Sequence, residues 1–180
     1  MEFQKVIESR RSMRKYDADK KVSKEMITEM IEAAIQAPTW KNSQTARYYC
    51  LMSDEAMEKF REECLPEFNA KNCKDASAII VTAYEMNTSG FAPDHETPTN
   101  ELGNGWGIYD LGLHNENLVL KATDLGLATL IMGIRDTEKI RKMLDIPEEE
   151  QIVAVISVGY PADEPKQPKR KSVDDIAKFF

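Results

Sequence analysis

The sequence predicts an α+β fold in one domain, residues 1–180, with one mixed sheet surrounded by helices. A chain of 180 residues is the usual size of a single domain with one sizeable core. Helical and strand patterns interleave without the regular period of a doubly wound parallel sheet. A long helix predicted over residues 107–125 is apolar on more than one face, which indicates a central position or a subunit interface.

The other predicted elements rest on hydrophobic spacing and end signals. Residues 24–37 have apolar side chains at helical spacing, with Ser23 as N-cap, a Val22–Ile27 staple and Pro38 as the stop. Further helices are predicted over 2–9, 54–64 and 137–144, the last capped by Asp136, and strands over 47–52, 76–83, 127–132 and 151–158. The polar segment 87–106, rich in Gly and Pro, is expected to be a structureless functional lid or mobile loop.

Composition excludes several classes of protein. No apolar run approaches the roughly 20 residues of a membrane span, and the first residues are too polar for a signal peptide. Three cysteines without C-x-x-C pairing indicate reduced thiols, so we expect a cytoplasmic protein. The two histidines, His95 and His114, have no partner at zinc-ligand spacing, and no glycine-rich nucleotide motif is present. The chemistry of an enzyme with this composition would come from a cofactor.

Charge is distributed unevenly along the chain. Residues 1–24 contain eight Lys/Arg and four Asp/Glu, and residues 166–171 contain four Lys/Arg and no acid, whereas the other 150 residues have a net charge of −15. An acidic body of this kind would repel a phosphate backbone, so nucleic-acid binding is not expected. Either a small anion binds where the two basic ends meet, or the ends are merely solvated.

Three segments carry side chains that suit a phosphorylated, polar ligand. In an extended chain Arg10, Ser12 and Arg14 point to one side, and two guanidinium groups flanking a hydroxyl suit a phosphate. The loop at residues 37–44, A-P-T-W-K-N-S-Q, concentrates hydrogen-bonding side chains, and the tail at 167–171, Q-P-K-R-K, is basic and extended. The alternatives are surface arginines at a helix end and an ordinary turn.

Together these segments resemble the FMN-dependent nitroreductase family over nearly the whole chain. Beside S-R-R-S-M-R at 9–14 and the loop at 37–44, the matching features are Phe68-Asn69 before a strand, the segment from Leu125 to Gly133, and V-G-Y-P-A-D-E-P at 158–165. The resemblance implies a nitroreductase-like mixed sheet of four or five strands, surrounded by helices, in a homodimer that binds FMN at the subunit interface.

The resemblance also implies the role of each site residue. Phosphate contacts would come from Arg10, Ser12 and Arg170, with Arg11 and Lys169 beside them; Lys171 is an alternative to Lys169. Arg14 would reach the ribityl or pyrimidine end, and Asn69 the pyrimidine edge. The flavin ring would be approached by the backbone of Met132 and Gly133, and from the other subunit by Pro38, Thr39, Trp40 and Asn42.

The expected activity is transfer of hydride from NAD(P)H to a nitroaromatic or quinone acceptor by a ping-pong mechanism. The alternative is an FMN-binding or flavin-storage module without turnover. The sequence departs from the family loop N-x-Q-P-W, because Asn42-Ser43-Gln44 is followed by Thr45-Ala46, and Trp40 stands where a small residue is usual. Trp40 would either narrow the acceptor pocket or pack into the interface.

Overall fold

A four-stranded antiparallel sheet is the centre of the computed structural model, which describes residues 1–180. Its strands are β1 (Ala46–Leu51), β2 (Ala78–Glu85), β3 (Ala128–Met132) and β4 (Glu150–Gly159), in the order β1-β2-β4-β3. The α+β class and the four strands are confirmed, but the prediction of mixed strand directions is corrected, because every neighbouring pair is antiparallel. The one parallel contact is a bridge from Ser12, which lies outside the named strands, to Thr129 of β3. The connection between β1 and β2 leaves the sheet and re-enters it at the same end, so these two neighbouring strands run antiparallel.

Seven α-helices accompany the sheet. They are α1 (Phe3–Ser9), α2 (Lys24–Ala34), α3 (Asp54–Cys64), α4 (Glu67–Asn72), α5 (Gly105–Asp124), α6 (Thr137–Leu144) and α7 (Val173–Ile176). The ranges of α3 and α6 are as predicted. Helix α2 ends earlier than predicted, because Gln36 and Ala37 donate to carbonyls three residues back and tighten the chain ahead of Pro38.

Helices cover both faces of the sheet. Side chains of β2 alternate between two hydrophobic clusters, with Ile79 on one face and Ile80 on the other. The first cluster joins the sheet to α3 and α6, and includes Phe60 and Ile140. The second joins it to α2 and α5, and includes Met30 and Leu118. Helix α5 packs against both α2 and the sheet, as the prediction of a central helix requires.

The polar segment 87–106 is not structureless, contrary to the prediction. It contains no strand, and α5 begins within it at Gly105, but Phe91 bridges Pro98 and the Trp106 indole N–H donates to Asn100 at 2.9 Å. Gly90 has φ +85°, and a Cβ there would lie 2.6 Å from the Gly103 carbonyl oxygen. Backbone hydrogen bonds and one close glycine contact therefore give the segment a defined path.

Candidate functional site

The basic segment 10–14 runs along the open edge of β3. The Met13 N–H donates to the Thr129 carbonyl at 2.9 Å, and Ser12 bridges the same residue. The Met13 side chain is buried in the core, whereas Ser12 and Arg14 are exposed. The predicted alternation is therefore present: the apolar side chain points inward, and the serine and arginine point away from the core.

Three side chains of this segment have no partner within the chain. The guanidinium groups of Arg10 and Arg14 take part in no ion pair and no side-chain hydrogen bond, and neither does the Ser12 hydroxyl. The Arg11 guanidinium, in contrast, donates to the Glu8 carbonyl at 2.6 Å and the Arg10 carbonyl at 2.8 Å. The segment can therefore offer charged donors to an anion without breaking existing bonds, and the donor set suits a phosphate.

The start of the C-terminal tail lies beside this segment. A cleft of about 530 Å³ is lined by Arg10, Arg11, the chain before β3 and residues of the tail up to Gln167. Asp163 in this cleft pairs with Lys15 at 3.3 Å, so its charge is partly compensated. Within one chain the structure does not bring Lys169 and Arg170 into the cleft: both are exposed, and the Arg170 guanidinium donates to the Pro168 carbonyl.

A second group of predicted residues meets at the far end of β3. The Asn69 amide donates to the Ile134 carbonyl at 2.8 Å, which joins α4 to the chain that follows β3. The Met132 side chain is buried, whereas Gly133 is exposed and a Cβ added to it would meet nothing within 4 Å. Met132 is the third residue after Thr129, about 10 Å further along the strand, so the basic segment and this group lie along one edge.

The loop at residues 38–44 has an unusual backbone. Lys41, Asn42 and Gln44 have φ of 46°, 57° and 52°, in the left-handed region that favours glycine. The loop is tied internally by the Gln44 N–H, which donates to the Thr39 hydroxyl at 3.2 Å. The Trp40 N–H donates to the Asp110 carboxylate on α5 at 2.9 Å, while Pro38 and Asn42 are exposed.

The Trp40 ring packs within its own chain. Its centroid lies 4.7 Å from that of Trp106, with 49° between the planes, and Tyr109 meets Trp106 edge-on at 5.6 Å. The indole N–H of Trp40 is buried without a partner. Trp40, Trp106 and Tyr109 form a row of aromatic rings, here called the aromatic row, that begins at the loop and ends at the exposed ring of Tyr109.

The loop and the basic segment lie at opposite corners of the sheet. Thr129 is level with Ala78 of β2, whereas Ala46, where the loop enters β1, is level with Tyr84. Three strand spacings and six residues of strand separate the two corners, about 25 Å on the diagonal. The strand residues beside the loop and beside the basic segment therefore lie far apart within one chain.

Sequence reasoning did not single out the buried polar groups on α5. Asp110 is only 3% exposed and accepts hydrogen bonds from the Trp40 N–H and the Ser89 hydroxyl. His114 lies one turn later with both ring nitrogens unpartnered, and burial lowers the pKa of its imidazole while Asp110 opposes that shift. The available signal was the spacing of Asp110 and His114, which stand four residues apart in a predicted helix.

The structure contains no group of three or more His, Cys, Asp or Glu side chains placed to hold a metal ion. None of the helices is long enough and apolar enough to cross a membrane.

The chain has an α+β fold with unpartnered donors at the β3 edge, and comparison with known proteins gives its family. The model of the nitroreductase family matches residues 7–160. A Bacillus subtilis protein with the provisional name NAD(P)H nitroreductase YdgI is 28% identical, over 99% of this chain and 97% of its own. An Archaeoglobus fulgidus protein, provisionally named NADH dehydrogenase/NAD(P)H nitroreductase, is 30% identical over 89% of this chain and 86% of its own. The chain therefore belongs to the nitroreductase family.

A solved structure shows the same fold. It is a provisionally assigned nitroreductase from Exiguobacterium sibiricum 255-15, crystallised in complex with FMN, with a TM-score of 0.88 and 24% identity. The match covers 100% of this chain and 98% of that one.

Proposed function

We propose that this protein is an FMN-dependent oxidoreductase that transfers hydride from NAD(P)H to an organic acceptor of the nitroaromatic or quinone type, by a ping-pong mechanism. The observation that carries the proposal is the set of unpartnered donors on Arg10, Ser12 and Arg14 in a nitroreductase-family chain. Support for the two cofactors comes from the relatives named NAD(P)H nitroreductase and the neighbour crystallised with FMN.

The residues present fit FMN along the edge of β3. Arg10 and Ser12 would hold the phosphate, Arg14 would face the ribityl or pyrimidine end, and Asn69 and the exposed backbone at Gly133 would lie near the ring. Bound flavin supplies the chemistry, because its ring accepts a hydride and passes it on. The protein's part is orientation and electrostatics: a fixed cation such as Arg14 favours negative charge that develops nearby.

A homodimer would complete this site. The loop at 38–44 and the basic segment of one chain lie at opposite corners, so a ligand that contacts both must bind between two chains. Ile108 and Tyr109 are exposed on α5, and Val173, Ile176 and Phe179 are exposed on the tail. Apolar side chains left exposed in one chain favour burial against a second. The same association would let Lys169 and Arg170 reach a phosphate that they do not approach within one chain.

One experiment separates the proposed enzyme from a flavin-storage module. The purified protein is loaded with FMN and mixed anaerobically with NADH or NADPH while the flavin absorbance is followed. We expect rapid bleaching, followed by reoxidation when a quinone or nitroaromatic is added. Flavin that stays oxidised with both nucleotides would contradict the enzyme and favour the storage module, and a protein that binds no FMN would contradict both.

A further inference from the structure

The Asp110 carboxylate joins three separate parts of the chain. It lies on α5 and accepts hydrogen bonds from the Trp40 N–H, in the loop at 38–44, and from the Ser89 hydroxyl, in the polar segment 87–106. It is 3% exposed, and no cation pairs with it. A buried carboxylate without a cation is costly unless its hydrogen bonds are kept. The burial of the Asp110 carboxylate therefore indicates that the folded chain needs its hydrogen bonds from Trp40 and Ser89.

The first five residues of the loop have one hydrogen bond to the rest of the fold, and Asp110 accepts it. Residues 38–42 make no other hydrogen bond to residues outside the loop. The left-handed backbone of Lys41, Asn42 and Gln44 is strained, so the loop would relax to another path without an external restraint. Two polar groups of its side chains supply no substitute hydrogen bond, because the Trp40 indole N–H and the Ser43 hydroxyl are buried without partners.

The geometry also explains why Trp40 meets Trp106. Trp106 lies on the same helix as Asp110, one turn earlier, so a hydrogen bond from the Trp40 backbone to Asp110 brings the two indole rings together at 4.7 Å. The polar segment 87–106 is held to the same point through Ser89. One side chain therefore sets both the path of the loop and the orientation of the aromatic row.

We propose that Asp110 is a positioning residue of the active site: through its hydrogen bond to Trp40 it holds the loop at 38–44 in the shape that contacts FMN. This inference rests on the proposed function. Asp110 touches neither cofactor nor acceptor in this arrangement, and its effect reaches the site through the loop backbone. The loop then meets the flavin already ordered, so binding costs less conformational entropy.

The test compares Asp110→Ala with two other variants on α5. Asp110→Asn retains an oxygen that can accept from the Trp40 N–H. Asn115→Ala is the matched control, because Asn115 is also buried on α5 but donates to Thr82 of β2 and not to the loop. If Asp110→Ala does not fold, Asp110→Leu replaces it, since leucine fills the space without offering an acceptor.

Two measurements are made on each variant. The first is the circular dichroism couplet of the adjacent Trp40 and Trp106 indoles in flavin-free protein, which reports the position of Trp40. The second is the Kd for FMN from the quenching of flavin fluorescence. We expect Asp110→Ala to lose most of the couplet and to raise the Kd about tenfold, and Asp110→Asn to stay within about threefold of the wild-type Kd. Asn115→Ala should lower the melting temperature without changing either signal.

Each other result overturns the assignment. An unchanged couplet in Asp110→Ala would show that Asp110 does not hold Trp40, and a lost couplet with unchanged Kd would show that the loop does not contact FMN. If Asp110→Asn and Asp110→Ala lose the couplet and the FMN affinity equally, the effect depends on the charge of Asp110 and not on its hydrogen bond to Trp40. If wild-type protein binds no FMN, the proposed function fails, and the couplet still reports whether Asp110 holds the loop.

Discussion

Arg10 provides the sharpest residue-level test of the phosphate assignment. Its guanidinium is partly exposed and has no partner, so its removal breaks no hydrogen bond or ion pair within the chain. We expect Arg10→Ala to weaken FMN binding about tenfold to a hundredfold, the loss of one charge-assisted contact. Equilibrium titration of flavin fluorescence measures this.

The control for that titration is Lys5→Ala, which removes an equal charge from the exposed face of α1. Its affinity for FMN should stay close to that of the wild type, because long-range attraction alone is weak in salt. If the two variants bind FMN equally well, Arg10 does not contact the phosphate.

Trp40 is the residue through which the acceptor range can be tested. Its ring packs on Trp106, which favours a packing role, yet the aromatic row ends at the exposed ring of Tyr109 and could still border the acceptor pocket. If Trp40 narrows the pocket, Trp40→Ser should raise the rate with bulky quinones and change the rate with a small acceptor less. Steady-state kinetics with the two acceptors decide, and an equal response would assign Trp40 to packing or flavin binding.

For individual residues, the sequence predicted which side chains of the basic segment are exposed but not which distant residues form hydrogen bonds with each other. Period-two alternation agrees with the exposure of Ser12 and Arg14 on either side of the buried Met13. The pairing of Asp110 with Trp40 joins residues 70 positions apart, and no local pattern encodes it. Whether the predicted site residues contact FMN stays a prediction.

Among the helices, α6 allows the stabilising effect of one N-cap residue, Asp136, to be tested. The Asp136 carboxylate accepts from the Lys139 N–H at 3.1 Å, and that hydrogen bond holds its pKa below the ordinary value. A carboxyl whose pKa is lowered by folding stabilises the folded state above its unfolded pKa, and this contribution disappears as pH falls through the folded pKa. Asp136→Ala should therefore lower the urea midpoint at about pH 7, with the difference shrinking toward about pH 3.

The control at this scale is Asp19→Ala, which removes an exposed carboxylate that accepts no hydrogen bond. Its urea midpoint should follow the wild type across the same pH range. A difference between Asp136→Ala and wild type that persists undiminished at low pH would mean that something other than the ionised carboxylate caps α6.

Elements with strong local signals were predicted closely, and those without were not. Helices α3 and α6 combine an N-cap residue with a clear apolar face, and both have the predicted ends. Helices α4 and α7 have six and four residues, too few for a periodic pattern, and were not predicted. Strand direction depends on the pairing of distant residues, and the path of segment 87–106 depends on irregularly spaced contacts within it, so sequence spacing alone could not give them.

For the whole molecule, subunit complementation tests the shared site. If each FMN takes its basic segment from one chain and its loop from the other, a mixed dimer of two defective chains contains one intact site. Arg10→Ala chains mixed and reassembled with Thr39→Ala, Asn42→Ala chains should recover wild-type affinity at about a quarter of all sites. Flavin titration counts the sites with wild-type affinity. If none is recovered, the basic segment and the loop of a site come from the same chain.

Sedimentation supplies the companion measurement. We expect an obligate homodimer whose separated chains bind FMN poorly, because the loop comes from the partner. A stable monomer loaded with flavin at low micromolar concentration would contradict this. Unfolding of each variant is compared at one fixed protein concentration, since the stability of an obligate dimer depends on it.

The separation of the loop and the basic segment across the sheet has a consequence for dilution. A cofactor that needs both corners binds a pair of chains and not one, so its apparent affinity follows mass action in the protein as well as in the ligand. Lowering the protein concentration at constant free FMN would release flavin, and adding FMN would hold dilute chains together. Cofactor supply and protein abundance would then control the same equilibrium, and the bound flavin would act as part of the subunit interface.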